Sequence, residues 1–202
     1  MIKYLKVLWP LFIVQFFTWL GLFSLWIYTT PVVMRYVFNS NGLNNSNYSK
    51  ALNWVAYCFA FYSLLAGFLG FLVHRWSKRI GLYRYHSLSL FLGGLGLVSL
   101  SILTSPYPFL LSFSLIGIAW SSIGNVPYAI LGEIAPETDS ERIYIIFNFS
   151  IVIPQVVAAF FLGFITDHSF GGETNLTLRF GGGCLFLAAF IMYLIKPLPK
   201  IE

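Results

Sequence analysis

Charged residues are scarce in this chain of 202 residues, because Asp, Glu, Lys and Arg together make up 9% of it while hydrophobic residues make up 58%. A soluble domain has about 25% charged residues, so this scarcity excludes a water-soluble globular domain. Each membrane-spanning helix needs about 20 apolar residues, and the gaps between the charged residues leave room for about six such helices. The sequence therefore predicts an all-α integral membrane protein, with one six-helix domain over residues 1–202.

Acidic residues and histidines are also few, with seven Asp and Glu and three His. The acidic residues all fall in predicted loops or at the ends of predicted spans, so no buried acid is available for a proton relay or an ion site. His74, His86 and His168 fall at predicted helix ends, where we expect them to be solvated. With no HExxH or GxSxG motif in the sequence, we expect no enzymatic activity, no metal site and no cofactor.

Cysteine is limited to Cys58 and Cys184, and both fall inside predicted spans. In that position they are expected to be small packing residues rather than a disulfide.

The long uncharged stretches are the main positive feature of the sequence. They predict spans at about 7–33, 51–73, 85–104, 107–132, 143–166 and 180–195. Nine of the 12 Lys and Arg residues fall on the side of the two termini, and only Arg35, Lys50 and Arg179 fall on the other side. This bias predicts cytoplasmic termini in a cell membrane. It also explains the net charge of +5 without nucleic-acid binding, and we expect no cleavable signal peptide because the first apolar run is too long.

Amide side chains are unevenly distributed among the spans. Four spans contain Asn or Gln, whereas the third and sixth contain none, so we expect four helices to face inward and two to face outward. Gln15 and Trp19 are spaced to share a helical face, as are Asn53 and Tyr57. The alternative is that each amide only bonds a packed neighbouring helix, which is worth about 0.6 kcal/mol on average.

Amides beside flat aromatic rings suit a neutral, hydroxyl-rich ligand such as a sugar. The predicted binding residues are Gln15, Trp19, Asn53, Tyr57, Tyr62, Trp120, Asn125, Tyr128, Asn148 and Gln155. Of these, Trp19, Tyr62, Trp120 and Gln155 fall near the estimated midplane, and Gln15, Asn125 and Asn148 fall nearer the cytoplasm, where an inner gate is the alternative role.

Prolines and small residues predict where helices bend or approach one another. Pro31, Pro127 and Pro154 each remove a backbone donor inside a predicted span, so we expect hinges there. In the second span, Ala66, Gly67 and Gly70 predict close packing against a neighbour.

Four sequence strings carry a resemblance to a known family. They are QFFTWLGLFSLWIYTTP at 15–31, LNWVAYCFAFYS at 52–63, GIAWSSIGNVPYAILGEIAPE at 117–137 and IFNFSIVIPQ at 146–155. Together they resemble the carboxyl-terminal half of sugar transporters of the major facilitator superfamily (MFS), in the sucrose and maltose proton-symporter branch. The basic loop with Gly70, Arg79, Gly81 and Arg84 resembles a degenerate copy of that superfamily's cytoplasmic loop signature, although it lacks the acidic residue after the first glycine.

The resemblance implies a six-helix bundle that lines half of a sugar site and works with an amino-terminal six-helix partner carrying the proton-coupling acid. The expected function is therefore transport of a neutral di- or oligosaccharide across the lipid bilayer. Two alternatives stay open at this point: a homo-oligomeric membrane protein or facilitator built from copies of this chain, and a non-functional truncated remnant.

Overall fold

A computed structural model describes residues 2–40, 46–136 and 139–201, and within them the chain forms seven α-helices and no strand. The helices are α1 (Ile2–Val32), α2 (Ser46–Ile80), α3 (Leu82–Leu100), α4 (Phe109–Ile123), α5 (Val126–Ile134), α6 (Ser140–His168) and α7 (Thr174–Leu194). A π-helical turn, Val33–Val37, continues α1.

Five helical segments of the described residues are long and apolar enough to cross a membrane. They are Tyr4–Val37, Asn47–Ile80, Phe109–Ile134, Ser140–His168 and Thr174–Leu194. The chain is thus an all-α protein with five candidate membrane-spanning helices, and a membrane-embedded location follows from their length and composition.

The predicted third span corresponds to α3, which is not among these five segments. Its first two turns carry Arg84 and His86. Its 19 residues also include three serines and three glycines. These residues lower its mean hydropathy, although its length of about 28 Å at 1.5 Å per residue is close to that of the hydrocarbon core.

Two further boundaries differ from the prediction. The predicted span at 107–132 is two helices, α4 and α5, that are interrupted at Gly124 and Asn125. The predicted basic loop after residue 73 is helical up to Ile80, because α2 continues without a break for 35 residues. The reversal into α3 takes place at Gly81, whose φ of 89° is accessible at little cost only to glycine.

The helices form two layers. α3 and α7 pack against each other in a back layer, where α3 also packs on α4 and α7 also packs on α1. α2 packs mainly on α4, and α6 packs mainly on α1. The main helix contacts are unchanged when α1 exchanges with α4, α2 with α6 and α3 with α7, so the first three helices and the remainder are two repeats of one packing pattern.

Glycines bring the central helices into close backbone contact. A Cβ atom on Gly181 of α7 would lie 2.7 Å from the Cβ of Ser24 on α1, and one on Gly182 would lie 3.0 Å from the carbonyl oxygen of Gly94 on α3. A Cβ on Gly96 would lie 2.7 Å from the carbonyl oxygen of Ser112 on α4. These three interfaces therefore depend on the absence of side chains, as is common between membrane helices.

The three small residues of α2 differ in their surroundings. Ala66 is buried, and a Cβ on Gly70 would lie 3.7 Å from the Asn125 amide, which is an ordinary contact distance. A Cβ on Gly67 would meet no atom within 4 Å. The prediction of close packing was therefore wrong at Gly67, because its face of α2 is exposed.

α2 and α6 are the most exposed of the five candidate spans. In each, 28% of the most apolar window is buried, compared with 50% to 56% in the other three. Each packs on one principal neighbour and leaves a broad apolar face uncovered within this chain.

Hydrogen bonds place both ends of the described chain at the same end of the bundle, which we call the terminal end. The Tyr4 hydroxyl at the start of α1 donates to the carboxylate of Asp139, just before α6. The Ile201 amide donates to the carbonyl oxygen of Ile134 at the end of α5, at 2.9 Å.

At the opposite end, Arg35, Tyr36 and Glu173 form a cluster that we call the Glu173 clasp. Arg35 Nη2 lies 2.9 Å from Glu173 Oε1, and the Tyr36 hydroxyl donates to Glu173 Oε2. The clasp joins the π-helical turn after α1 to the residue that precedes α7. The hydrogen bond from Tyr36, with a further contribution from the positive charge of Arg35, holds the pKa of the Glu173 carboxyl below its ordinary value.

The glycine contact between α1 and α7 predicts a specific loss of stability. Gly181→Ala should lower the free energy of unfolding by about 1–3 kcal/mol, the usual cost of overpacking, because its methyl group collides with Ser24. Gly183→Ala is the matched control on the same helix, since a Cβ there meets nothing within 4 Å. Thermal unfolding of both purified variants measures the difference, and equal midpoints would show that α1 and α7 do not pack at Gly181.

The Glu173 clasp predicts a pH dependence. Because the folded-state pKa of Glu173 is lowered, the clasp contributes stability above the unfolded-state pKa of about 4.3, and this contribution is lost as the pH falls through the lower folded-state value. Tyr36→Phe should therefore lower the unfolding midpoint at pH 7 and have little effect near pH 3. The exposed Tyr57→Phe is the control, and a Tyr36→Phe effect of equal size at both pH values would contradict the assignment.

Candidate functional site

Three tryptophans and a tyrosine meet where α1, α2 and α4 come together, and we call this set the aromatic wall. Trp19 and Trp26 lie two turns apart on one face of α1. Their ring centroids lie 6.3 Å and 5.6 Å from that of Trp120 on α4, and the planes are nearly perpendicular. Tyr62 on α2 lies 6.5 Å from Trp120, and Trp26 Nε1 donates to the Tyr62 hydroxyl at 3.4 Å.

The close approach of α2 and α4 positions Tyr62 in the wall. Gly117 lies one turn before Trp120, and a Cβ on it would lie 3.2 Å from the Tyr62 carbonyl oxygen. Phe113 on α4 and Phe59 on α2 pack behind the Tyr62 ring, at centroid distances of 6.0 Å and 5.6 Å. The ring of Tyr62 is thereby fixed, and its hydroxyl is held beside the Trp26 indole.

Hydrogen-bonding atoms next to this wall lack partners in the described protein. Gln15 Oε1 and Trp19 Nε1 are buried one turn apart on α1, and neither has a hydrogen-bond partner; the same is true of Thr18 Oγ1. A buried polar group left unpaired costs about 1–3 kcal/mol. Gln15 Oε1 is an acceptor and Trp19 Nε1 is a donor, so the two residues have unused capacity to bond a polar, uncharged molecule.

A second group of predicted residues joins α5 to α6. The Tyr128 hydroxyl donates to Asn148 Oδ1 at 3.4 Å, and the Tyr128 ring stacks on Tyr144 with centroids 6.2 Å apart. Tyr128 also contacts the edge of Phe147, at 5.5 Å. This group, which we call the Tyr128 contact, is nearer the terminal end than the aromatic wall.

The helix interruption at Gly124 and Asn125 separates the aromatic wall from the Tyr128 contact. Asn125 Nδ2 donates to the Ser121 carbonyl oxygen at 2.7 Å, one turn back. Pro127 lies in the first turn of α5 and has no amide hydrogen for the carbonyl of Ile123. The Asn125 side chain bonds the backbone of α4, and Pro127 removes a backbone donor. Together they explain why α4 ends at Ile123 and a new helix, α5, begins at Val126.

The other two predicted hinges lie in uninterrupted helix. Pro154 is buried inside α6, which is continuous over 29 residues. Pro31 lies near the end of α1, directly before the π-helical turn. Of the three prolines, only Pro127 coincides with a break between α-helices.

Asn53, Tyr57 and Gln155 lie apart from the aromatic wall. Asn53 and Tyr57 are exposed on α2 and line a cavity of about 340 Å³ with Lys50, Trp54 and Tyr107. Gln155 is half-buried on α6, which packs on the side of α1 away from α2. Eight of the ten predicted binding residues therefore fall into three groups, Asn125 and Gln155 lie outside them, and the ten do not form one closed pocket within the described chain.

His86 is a buried residue whose position was predicted wrongly. It is fully buried, and its Nδ1 lies 2.8 Å from Ser122 Oγ, so it links α3 to α4. The prediction of a solvated residue failed because α3 begins at Leu82, which places His86 in the second helical turn, facing α4. No motif in the sequence marks this pairing.

Comparisons of the chain with protein-family models, with curated proteins and with solved structures gave no significant match.

Trp120 is the central ring of the aromatic wall, which predicts a large effect of its removal. Trp120→Ala should lower the free energy of unfolding by about 2–4 kcal/mol, since it removes three aromatic contacts worth about 0.5–1.5 kcal/mol each. Trp9→Ala is the matched control, because the Trp9 side chain is 62% exposed and its loss should change stability little. Thermal unfolding in detergent compares the two, and a Trp120→Ala midpoint no lower than that of Trp9→Ala would contradict the role of the wall.

Proposed function

We propose that this chain forms the carboxyl-terminal half of an MFS sugar transporter of the sucrose and maltose proton-symporter branch, and that it binds a neutral di- or oligosaccharide. The observation that carries the proposal is the aromatic wall of Trp19, Trp26, Tyr62 and Trp120, beside the unpaired amide oxygen of Gln15.

The chemistry of the wall favours a neutral sugar. Indole and phenol rings offer flat apolar faces to the C–H groups of a pyranose, while Gln15 Oε1 and Trp19 Nε1 offer one acceptor and one donor to its hydroxyls. The four rings of the wall carry no formal charge. A phosphate or an amino acid would lack a counter-ion there, and its desolvation would be unfavourable.

The packing of the helices supports a transporter half. Many secondary transporters are built from inverted three-helix repeats with the substrate site near the membrane midplane. The exchange of α1 with α4, α2 with α6 and α3 with α7 preserves the main helix contacts, as such a repeat requires. The aromatic wall lies between α1 and α4, the two helices that start the repeats.

The exposed faces of α2 and α6 require a second helical unit in this proposal. These two helices flank α1 and α4, and each leaves apolar side chains such as Phe68 and Phe160 exposed. Alternating access rocks one bundle against another around the substrate site. We therefore propose a partner of similar size, namely an amino-terminal six-helix unit that supplies the proton-coupling acid. A second copy of this chain, which has no predicted buried acid, would instead form a facilitator without proton coupling.

Sugar-dependent stabilisation tests the site. Maltose or sucrose at about 100 times its dissociation constant should stabilise the folded state by about 2.7 kcal/mol, measured as a rise in the unfolding midpoint of the purified chain with its partner unit. Trp120→Phe and Gln15→Ala should weaken binding of the sugar about tenfold, because an indole face or an amide is lost. Trp9→Phe, which changes the same residue type away from the wall, should leave binding unchanged.

Three outcomes would contradict the proposed function. Equal sugar affinity in Trp120→Phe and in the unsubstituted chain would place the sugar elsewhere. Stabilisation by a charged glucose phosphate but not by maltose or sucrose would exclude a neutral substrate. Full proton-coupled transport by a monomer of this chain alone in proteoliposomes would exclude the need for a partner.

A further inference from the structure

A groove of about 720 Å³ lies between α3 and α7 on the back layer, away from the aromatic wall. Its apolar walls are Leu88, Phe91, Phe186, Phe190 and Tyr193, and its mouth at the terminal end is formed by Arg79 and Arg84. No residue of the predicted sugar site lines it. The groove thus combines a long apolar slot with two guanidinium groups at one end.

The turn at Gly81 places the two arginines together. Arg79 is in the last turn of α2 and Arg84 is in the first turn of α3, and the left-handed backbone of Gly81 reverses the chain between them. Both side chains are exposed. The ion pairs of the described residues join Arg35 to Glu173 and Arg142 to Asp139, so neither groove arginine is neutralised by them.

The dimensions of the groove fit an amphiphile with one apolar chain. The Ser87 hydroxyl donates to the Ala189 carbonyl oxygen at 2.8 Å and closes the floor near the mouth. Phe91 contacts Phe186 at a centroid distance of 5.2 Å farther along. Phe91 is seven residues after Arg84, or about 10 Å along the helix axis at 1.5 Å per residue, so the slot extends from the arginines into the hydrocarbon layer.

We propose that this groove binds an anionic phospholipid of the leaflet on the terminal side, with its phosphate held by Arg79 and Arg84 and an acyl chain held between α3 and α7. Guanidinium groups bind phosphate oxygens through paired hydrogen bonds, and basic pockets between membrane helices are suited to anionic headgroups. The apolar walls favour a lipid over a soluble anion, since a free phosphate would gain nothing from them. This site does not depend on which solute the bundle transports.

Native mass spectrometry of the full-length chain tests the site with phosphatidylglycerol and phosphatidylcholine that carry the same acyl chains. We expect phosphatidylglycerol to bind more tightly, and Arg79→Gln/Arg84→Gln to weaken its binding about 30-fold, as expected for two basic residues near a membrane surface. Binding of phosphatidylcholine should not change. Arg79→Lys/Arg84→Lys should retain most of the preference, because the charge is kept.

Arg75→Gln/Lys78→Gln is the matched control, since it removes two positive charges from exposed residues of the same helix outside the groove. Equal losses in the control and in the groove variant would overturn the site in favour of a general surface-charge effect. Equal affinity for the two lipids would overturn the headgroup assignment. Displacement of the lipid by millimolar inorganic phosphate would identify a free-anion site instead.

Discussion

Direct backbone contact at glycine is the constraint on which the remaining structure depends. Inside a membrane, lipid tails are as apolar as leucine, so helices associate through close van der Waals contact rather than through release of water. Gly181 meets Ser24, Gly182 meets Gly94, and Gly96 meets Ser112. These contacts join α1, α7, α3 and α4 in one continuous series, and each leaves no room for a Cβ atom without movement of a neighbour.

The glycine series also determines where the large rings can go. α1 and α4 each pack on the back layer, and their backbones make few or no close contacts with each other. Trp19, Trp26 and Trp120 lie between them with nearly perpendicular rings. The aromatic wall is therefore a consequence of how the back layer packs, and the same packing leaves α2 and α6 at the two edges.

Much of the architecture could be predicted from residue patterns that act locally. Charge gaps predicted the helical membrane class and located most of the spans, whereas the basic loop that they placed after residue 73 is reduced to Gly81 between two helices. Helical spacing correctly put Gln15 with Trp19 on one face of α1. These features depend on the chain within a few turns of each residue, which is the range that a single sequence describes well.

Features that depend on contacts between distant helices could not be predicted in this way. Gly67 and Gly181 have the same local chemistry, but only Gly181 has a helix against it. His86 is buried because Ser122 faces it from another helix, which no local pattern reveals. Asn53, Tyr57 and Gln155 lie apart from the wall because of how α2 and α6 pack on other helices, which helical spacing within each of them does not reveal.

The two repeats make the same main helix contacts, but one begins with a continuous helix and the other with an interrupted one. α1 is held at one end by the hydrogen bond from Tyr4 to Asp139 and at the other by the Glu173 clasp. Its counterpart in the second repeat is α4 with α5, and these two helices are interrupted at Gly124 and Asn125. Trp120 lies on one side of this joint, and Tyr128 lies on the other. A bend at Gly124 and Asn125 would therefore change the distance between the Trp120 ring and the Tyr128 contact without unfolding either α4 or α5.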